Sequence, residues 1–252
     1  MSGARVPGDT VVDVRGLAKV FRNVTALQDV TFSVTAGETF GILGPNGAGK
    51  TTTMECVTGA LRPDGGQITV LGVDPAVDRA AVRERVGYQL QAAAMPPALR
   101  VEEALRLFAA FYRSPADVAE LLRTVGLETQ RKRAFGKLSG GQKQRLSIAL
   151  ALIGNPDLVV FDELTTGLDP QGRRDARELI SRVRDKGITV LLVTHYLDDV
   201  ERLCDRLAII DAGRTRFVGT PAELLAVAGP GPGGADSLED AYLAFIEQPA
   251  AE

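Results

Sequence analysis

Cysteine occurs twice in 252 residues and histidine once, and no apolar run approaches the roughly 20 residues needed to span a bilayer. Cys56 and Cys204 are too few and too far apart for a disulfide framework or a zinc site; they read as buried thiols of a reducing cytosol. The longest apolar stretches, near 146–153 and 188–193, stop at Gly154 and His195. The opening MSGARVPGDT lacks the apolar core of a secretory signal. Net charge is only −3, with acidic and basic residues interspersed, so the electrostatic footprint of a nucleic-acid binder is missing. No internal repeat is visible. The expectation is a chain soluble by itself, with any membrane partner on a separate polypeptide.

What is present is ordinary for a globular protein with a sizeable core: 45% hydrophobic and 24% charged residues. Near-alternating Val, Phe and Thr predict strands at 10–17, 27–34 and 38–43, the last running into a glycine-rich loop. Further strands are expected at 67–73 and 85–90. The spacing of Val101, Ala104, Leu105, Phe108, Phe111 and Tyr112 predicts an amphipathic helix, and 114–127 a second one, capped by Ser114 with Pro115 in its first turn. Helices over 142–153, 170–186 and 196–204 then alternate with strands over 157–162 and 188–193, the pattern of a parallel sheet with covering helices. RLAIID and RTRFVG read as a hairpin about Gly213. The stretch 228–236 reads as a flexible linker, and SLEDAYLAFI as a short terminal helix.

Residues 44–52, GPNGAGKTT, fit G-x-x-x-x-G-K-[ST] between a predicted strand and a helix start. Gly44, Gly47 and Gly49, with Pro45, Asn46 and Ala48 between them, let successive backbone N–H groups turn inward around a polyphosphate. The following helix adds its positive end. Lys50 is expected to reach the β- and γ-phosphates, and Thr51, with Thr52 beside it, to offer a hydroxyl to Mg²⁺.

LVVFDE (158–163) is an apolar strand ending in two carboxylates, where an open α/β sheet places its ligands. Asp162 is expected to hold Mg²⁺ through water, and Glu163 to orient and deprotonate an attacking water. The plainer alternative is a solvated turn or a helix cap. In LSGGQKQR (138–145), Ser139 reads as a helix N-cap; with Gly140 and Gly141 it also makes a second phosphate cradle. Two cradles beside one hydrolytic carboxylate suggest a dimer that shares its nucleotides.

These motifs, in this order, resemble those of the nucleotide-binding subunit of an ATP-binding-cassette (ABC) transporter. LSGGQ is that family's signature, and the likeness covers roughly residues 10–225. The resemblance implies an α/β fold: a P-loop NTPase core with a parallel sheet, an N-terminal antiparallel β-subdomain and an inserted α-helical subdomain. It implies an ATPase domain over 8–225 with the helical insert at about 97–145, then a linker and helical appendage over 226–252. ATP and Mg²⁺ would be the cofactors. In a head-to-tail dimer, Ser139, Gly140, Gly141 and Gln142 of one copy would close on ATP held by Lys50 of the other. Phe21 stands where the family stacks an aromatic on adenine, against the alternative of core packing. Gln91 matches the glutamine that senses Mg²⁺ and the membrane partner, although YQLQ also offers Gln89. Asp169 matches the loop that communicates across the dimer, or caps the helix before Pro170. His195 matches a histidine that contacts the γ-phosphate and holds Glu163 and water. Alone, it would read as a structural residue beside an apolar run.

Leu164 departs from the family, which usually has proline there; leucine is expected to leave the turn looser. TTGLDP, GTPAEL and the closing helix resemble bacterial ABC-2 class exporter ATPases of the antibiotic or multidrug type. That implies a cytoplasmic subunit on the inner face of the cell membrane, dimeric and working with a separate membrane subunit. The other class is a non-transport ABC ATPase acting on ribosomes or nucleic acid. It is disfavoured by the single cassette, the lack of sustained heptads and the mildly acidic balance. The stretch AAAMPPAL (92–99) has two readings of similar weight: an exposed seat for a helix of the membrane subunit, or burial against the helical insert.

Overall fold

In the computed structural model, which describes residues 8–89, 95–228 and 237–247, the first strands are longer than their alternation predicts. β1 (Thr10–Phe21) and β2 (Val24–Thr35) pair antiparallel as far as Phe21 opposite Val24, with Arg22 in the left-handed region at φ 51°. β4 (Gly65–Val70) pairs with the other edge of β1, placing Val14 opposite both Phe32 and Ile68. This is the expected N-terminal antiparallel subdomain.

β3 (Thr39–Leu43), β6 (Leu158–Asp162) and β7 (Thr189–Val193) are buried at every position, as strands covered on both faces must be. With β5 (Val86–Tyr88), β8 (Arg206–Asp211) and β9 (Arg214–Gly219) they complete a nine-stranded sheet ordered β4-β1-β2-β9-β8-β3-β7-β6-β5. Five neighbours, β8-β3-β7-β6-β5, run parallel. Leu158 and Val160 pack into one core and Val159 and Phe161 into the other, so strand alternation builds two apolar layers. The result is the expected P-loop NTPase core.

Helices α1 (Lys50–Val57) and α2 (Arg79–Arg85) precede β5. The helical insert follows as α3 (Val101–Ala109), α4 (Val118–Thr124) and α5 (Gly140–Leu152). Val101, Ala104 and Leu105 are buried as their spacing predicts, but α3 stops at Ala109 and Phe111 is 75% exposed. The cap expected of Ser114 belongs to Asp117, whose carboxylate accepts from the Glu120 N–H at 2.7 Å. Pro115 lies outside the helix because the nearer acidic cap sets its start. α2 was not legible in the sequence; its seven residues are short and bury only Val82.

α6 (Pro170–Asp185) and α7 (Leu197–Leu203) flank β7 in sequence. α8 (Pro221–Ala228) and α9 (Leu238–Glu247) follow the β8–β9 hairpin. α9 buries Leu238 and Ala241 in the same core as Leu224 of α8, and Phe245 meets Phe217 edge-on at 5.7 Å. Residues 229–236, most of the expected linker, lie outside the described residues. Among the described residues, no helix is long and apolar enough to cross a membrane.

Candidate functional site

The loop after β3 is shaped by what its glycines exclude. A Cβ on Gly44 would stand 2.0 Å from the Ile210 carbonyl oxygen, so the chain can leave β3 this close to β8 only as glycine. Gly49 has φ 103°, and a Cβ there would meet a Leu27 methyl at 2.5 Å and the Ala26 carbonyl at 2.8 Å. The loop is also clamped from behind. Gly213, in the hairpin turn, donates to the Ala48 carbonyl at 3.0 Å, and its own carbonyl accepts from Gln28 and Asp29 at 2.8 and 3.1 Å. Two sheet regions thus fix one loop through backbone bonds.

Lys50, 7% exposed, begins α1 and donates from Nζ to the carbonyls of Gly44 (2.7 Å) and Pro45 (2.9 Å). Burial pulls its pKa down, and the nearby charges of Glu163 and Asp162 pull it back up. The first turn of α1 has no side-chain cap and no acidic residue. Its orphan N–H groups and positive dipole end suit an anion. Pro45, Asn46, Gly47 and Thr51 are exposed, and Thr52 is half-buried.

β7 lies between β3 and β6, so the chain ends that follow these three strands are neighbours. Asp162 closes β6 and is buried; burial raises its pKa, opposed by the Tyr88 hydroxyl, which donates to Oδ2 at 3.2 Å. The Tyr88 phenol is pushed up in turn, by its own burial and then by the charge of Asp162. Glu163 turns out of the strand at φ 51° and donates its N–H to the Val193 carbonyl at 2.9 Å. Its Oε1 lies 3.3 Å from Nδ1 of His195, both side chains being about one-third exposed. The His195 ring packs on Tyr196 at 4.1 Å, and the Arg173 guanidinium sits 4.5 Å over the Tyr196 ring.

The turn carrying Glu163 is anchored from neighbouring elements. Leu164 is 1% exposed in the core, and its carbonyl accepts from the Gln144 amide at 2.8 Å. Thr165, also buried, bonds the Asp199 carboxylate, which accepts from Arg177 at 2.6 Å. Core packing and two side-chain anchors thus hold the turn that follows Glu163.

The other candidate residues are placed as follows. Ser139 caps α5 in a capping box: its hydroxyl accepts from the Gln142 N–H and its N–H donates to the Gln142 amide oxygen. Ser139 and Gly140 are exposed, and Gly141 half-buried. Among the described residues no hydrogen bond or ion pair joins this turn to the Lys50 loop. Asp169 caps α6, accepting from the Gly172 N–H at 2.6 Å, and is itself exposed. Phe21 is 43% exposed at the end of β1, with the Lys19 ammonium 5.5 Å from its ring, so core packing does not hold it. Gln91 lies outside the described residues. Gln89 is buried, donates its backbone N–H to Val160, and has a side-chain oxygen without a partner among the described residues.

Tyr88, Gly213 and the Thr165–Asp199–Arg177 network were not read from the sequence. Each acts through a partner on another strand or helix, and no spacing rule reveals such pairs. Chemically, the strand ends gather one ammonium, two carboxylates and an imidazole beside a loop that only glycines can form. Among the described residues no three His, Cys, Asp or Glu side chains form a metal cage. Mg²⁺ does not require one, because it binds through one or two carboxylates, hydroxyls, waters and the phosphates themselves. The glycine cradle, the uncapped helix start and the oxygen donors Thr51 and Asp162 fit a magnesium–nucleotide pair.

Comparison with known proteins adds the following. The family model described as ABC transporter matches residues 27–166. Nod factor export ATP-binding protein I of Burkholderia orbicola is 40% identical over 220 residues, 85% of this chain and 72% of that protein. The probable multidrug ABC transporter ATP-binding protein YbhF of Escherichia coli is 36% identical over 245 residues, 95% of this chain but 42% of that protein. Among solved structures, an ATP-binding subunit of an ABC transporter superposes with TM-score 0.82 at 31% identity, over 94% of this chain and all of that one. A dimeric post-hydrolysis cassette, MJ0796 bound to ADP and Pi, superposes with TM-score 0.73 at 25% identity, covering 83% of this chain and 98% of that one.

Proposed function

This chain belongs to the ABC transporter family, and we propose that it is the ATP-hydrolysing subunit of an exporter, working as a dimer with a membrane subunit on a separate chain. The observation that carries the hydrolytic reading is the Glu163–His195 pair, 3.3 Å apart beside the buried Lys50. The names of the export and multidrug relatives support the exporter reading. The dimeric cassette bound to ADP and Pi supports the dimer. Such a chain would work in the cytoplasm, on the inner face of the cell membrane.

Each residue then has a defined task. The backbone N–H groups of Gly44, Asn46, Gly47 and Gly49 to Thr52 wrap the polyphosphate, with Lys50 neutralising its β- and γ-oxygens. Thr51, Asp162 and Gln91 would hold Mg²⁺, which supplies charge neutralisation between the phosphates when bound. Phe21 stacks on the base. Glu163 accepts a proton from the attacking water while His195 keeps both in line. Ser139, Gly140, Gly141 and Gln142 of a second copy close on the γ-phosphate, and Asp169 communicates across that interface. Loss of the γ-phosphate removes the shared contacts, and the dimer opens. Phosphate release from MgATP tests the scheme. His195→Ala should retain ATP binding within about threefold and release phosphate about 100-fold more slowly; release at the unaltered rate would refute it.

The membrane subunit needs a seat, and Met95 and Leu99 are poor candidates, Met95 being 9% exposed and Leu99 packing against the same core, while Pro96, Pro97 and Ala98 between them are exposed. Residues 92–94 lie outside the described residues. A better seat is a cavity of about 400 Å³ between α1, α2, β5, α3 and α5, lined by Tyr88, Phe108, Tyr112 and Leu150 with Glu55 and Arg83. Phe111 stands exposed with its ring 6.1 Å from that of Phe108, which lines the cavity. An apolar helix of the membrane subunit suits that groove. Phe111→Glu should cut export by the assembled transporter about tenfold and leave ATP turnover of the isolated chain within about twofold. Unchanged export would move the docking face elsewhere.

A further inference from the structure

Tyr88 ends β5 with its Cα in register with Val160 of β6, two positions before Asp162. Side chains alternate along strands, so Tyr88, Val160 and Asp162 share one face of the sheet. Along that face the phenol hydroxyl donates to Oδ2 of Asp162 at 3.2 Å. Among the described residues, no other side-chain hydrogen bond reaches this carboxylate. The Tyr88 ring is a wall of the 400 Å³ cavity, together with Glu55, Arg83, Phe108, Tyr112 and Leu150. Four helices, α1, α2, α3 and α5, contribute to these walls.

We propose that Tyr88 is a positioning residue for magnesium, its hydroxyl fixing the orientation of the Asp162 carboxylate. Burial alone cannot do this, because the terminal torsion of an aspartate is broad and roughly twofold. Mg²⁺ tolerates little departure from octahedral geometry, so a carboxylate held by one donated hydrogen bond is a better partner than a free one. Groups that hold a metal ligand in this way typically govern metal affinity about tenfold or more. The inference rests on the reading that this chain binds MgATP.

Tyr88→Phe keeps the ring and the groove wall and removes only the donor. The test uses the full chain carrying Glu163→Gln, so that nucleotide is not consumed, with trinitrophenyl-ATP as the probe. Affinity is measured in excess Mg²⁺ and again in EDTA, and the ratio of the two is compared with and without Tyr88→Phe. Tyr88→Phe is expected to lower the Mg²⁺/EDTA affinity ratio about tenfold while leaving the EDTA affinity and the nucleotide-free Tm unchanged. An unchanged ratio, or equal loss in both conditions, overturns the positioning role alone. A Glu163→Gln parent that binds no nucleotide in either condition overturns the ATP reading, and this role with it.

Discussion

Glu163→Gln is expected to slow phosphate release by 10²–10⁴-fold, the range typical of a lost general base, and to hold the chain as a dimer in MgATP. The amide has almost the size and shape of the carboxylate. It can still lie against His195, which approaches Glu163 at 3.3 Å, and it leaves the backbone turn unchanged. What it lacks is the basicity to take a proton from water. Nucleotide would therefore stay intact in the loop after Gly44, and the contacts that a second copy makes to the γ-phosphate would persist. Light scattering in MgATP should report twice the monomer mass for the variant, and the monomer once nucleotide is removed. A variant that stays monomeric in saturating MgATP, or that releases phosphate at the parent rate, would defeat the shared-nucleotide scheme.

The second large effect is one of stability. Asp199→Ala should lower the unfolding free energy by about 3–5 kcal/mol, the cost of breaking a buried ion pair by removing one partner. Asp199 is 0% exposed, accepts from Arg177 at 2.6 Å and also holds the Thr165 hydroxyl. Its removal leaves a guanidinium that is 15% exposed with only the longer contact to Asp198, and unties the turn behind Glu163. Asp198 is the control within the same helix. It reaches Arg177 only at 3.4 Å, and its side chain is 65% exposed. Asp198→Ala should stay within about 0.5 kcal/mol, because exposed pairs contribute little. Urea unfolding of both variants settles the contrast; equal losses would contradict the buried-network account.

Much of this architecture can be read without coordinates, for a physical reason. The Lys50 loop and the FDE strand end are local: adjacent residues provide the glycines, the ammonium and the carboxylates, so spacing reveals them. The parallel core is legible too, because β3, β6 and β7 are apolar throughout. Features set by distant partners are not legible. The anchors of the turn at Leu164 come from α5 and α7, by way of Gln144 and Asp199, and its own sequence gives no sign of them. Phe111 matched the helical spacing but fell outside the core because α3 ends before it. Ser114 and Asp117 were both plausible caps, and only the observed hydrogen bond distinguishes them. For Met95 the sequence left exposure and burial against the insert open, and the insert buries it. The bond from Tyr88 to Asp162 depends on the register of two strands about 70 residues apart in the chain.

The left-handed backbone at Glu163 has a consequence beyond the geometry it provides. At φ 51° a side-chain-bearing residue costs about 1 kcal/mol relative to glycine. For folding alone, glycine would suit the position better; the proposed hydrolysis would need a carboxylate there. The site is therefore a point of local frustration, where the fold's preference and the reaction's requirement conflict over one residue. On the proposed role of Glu163, selection for thermal robustness alone would drift toward a slightly sturdier protein without its general base, and this one position would be where the two pressures part.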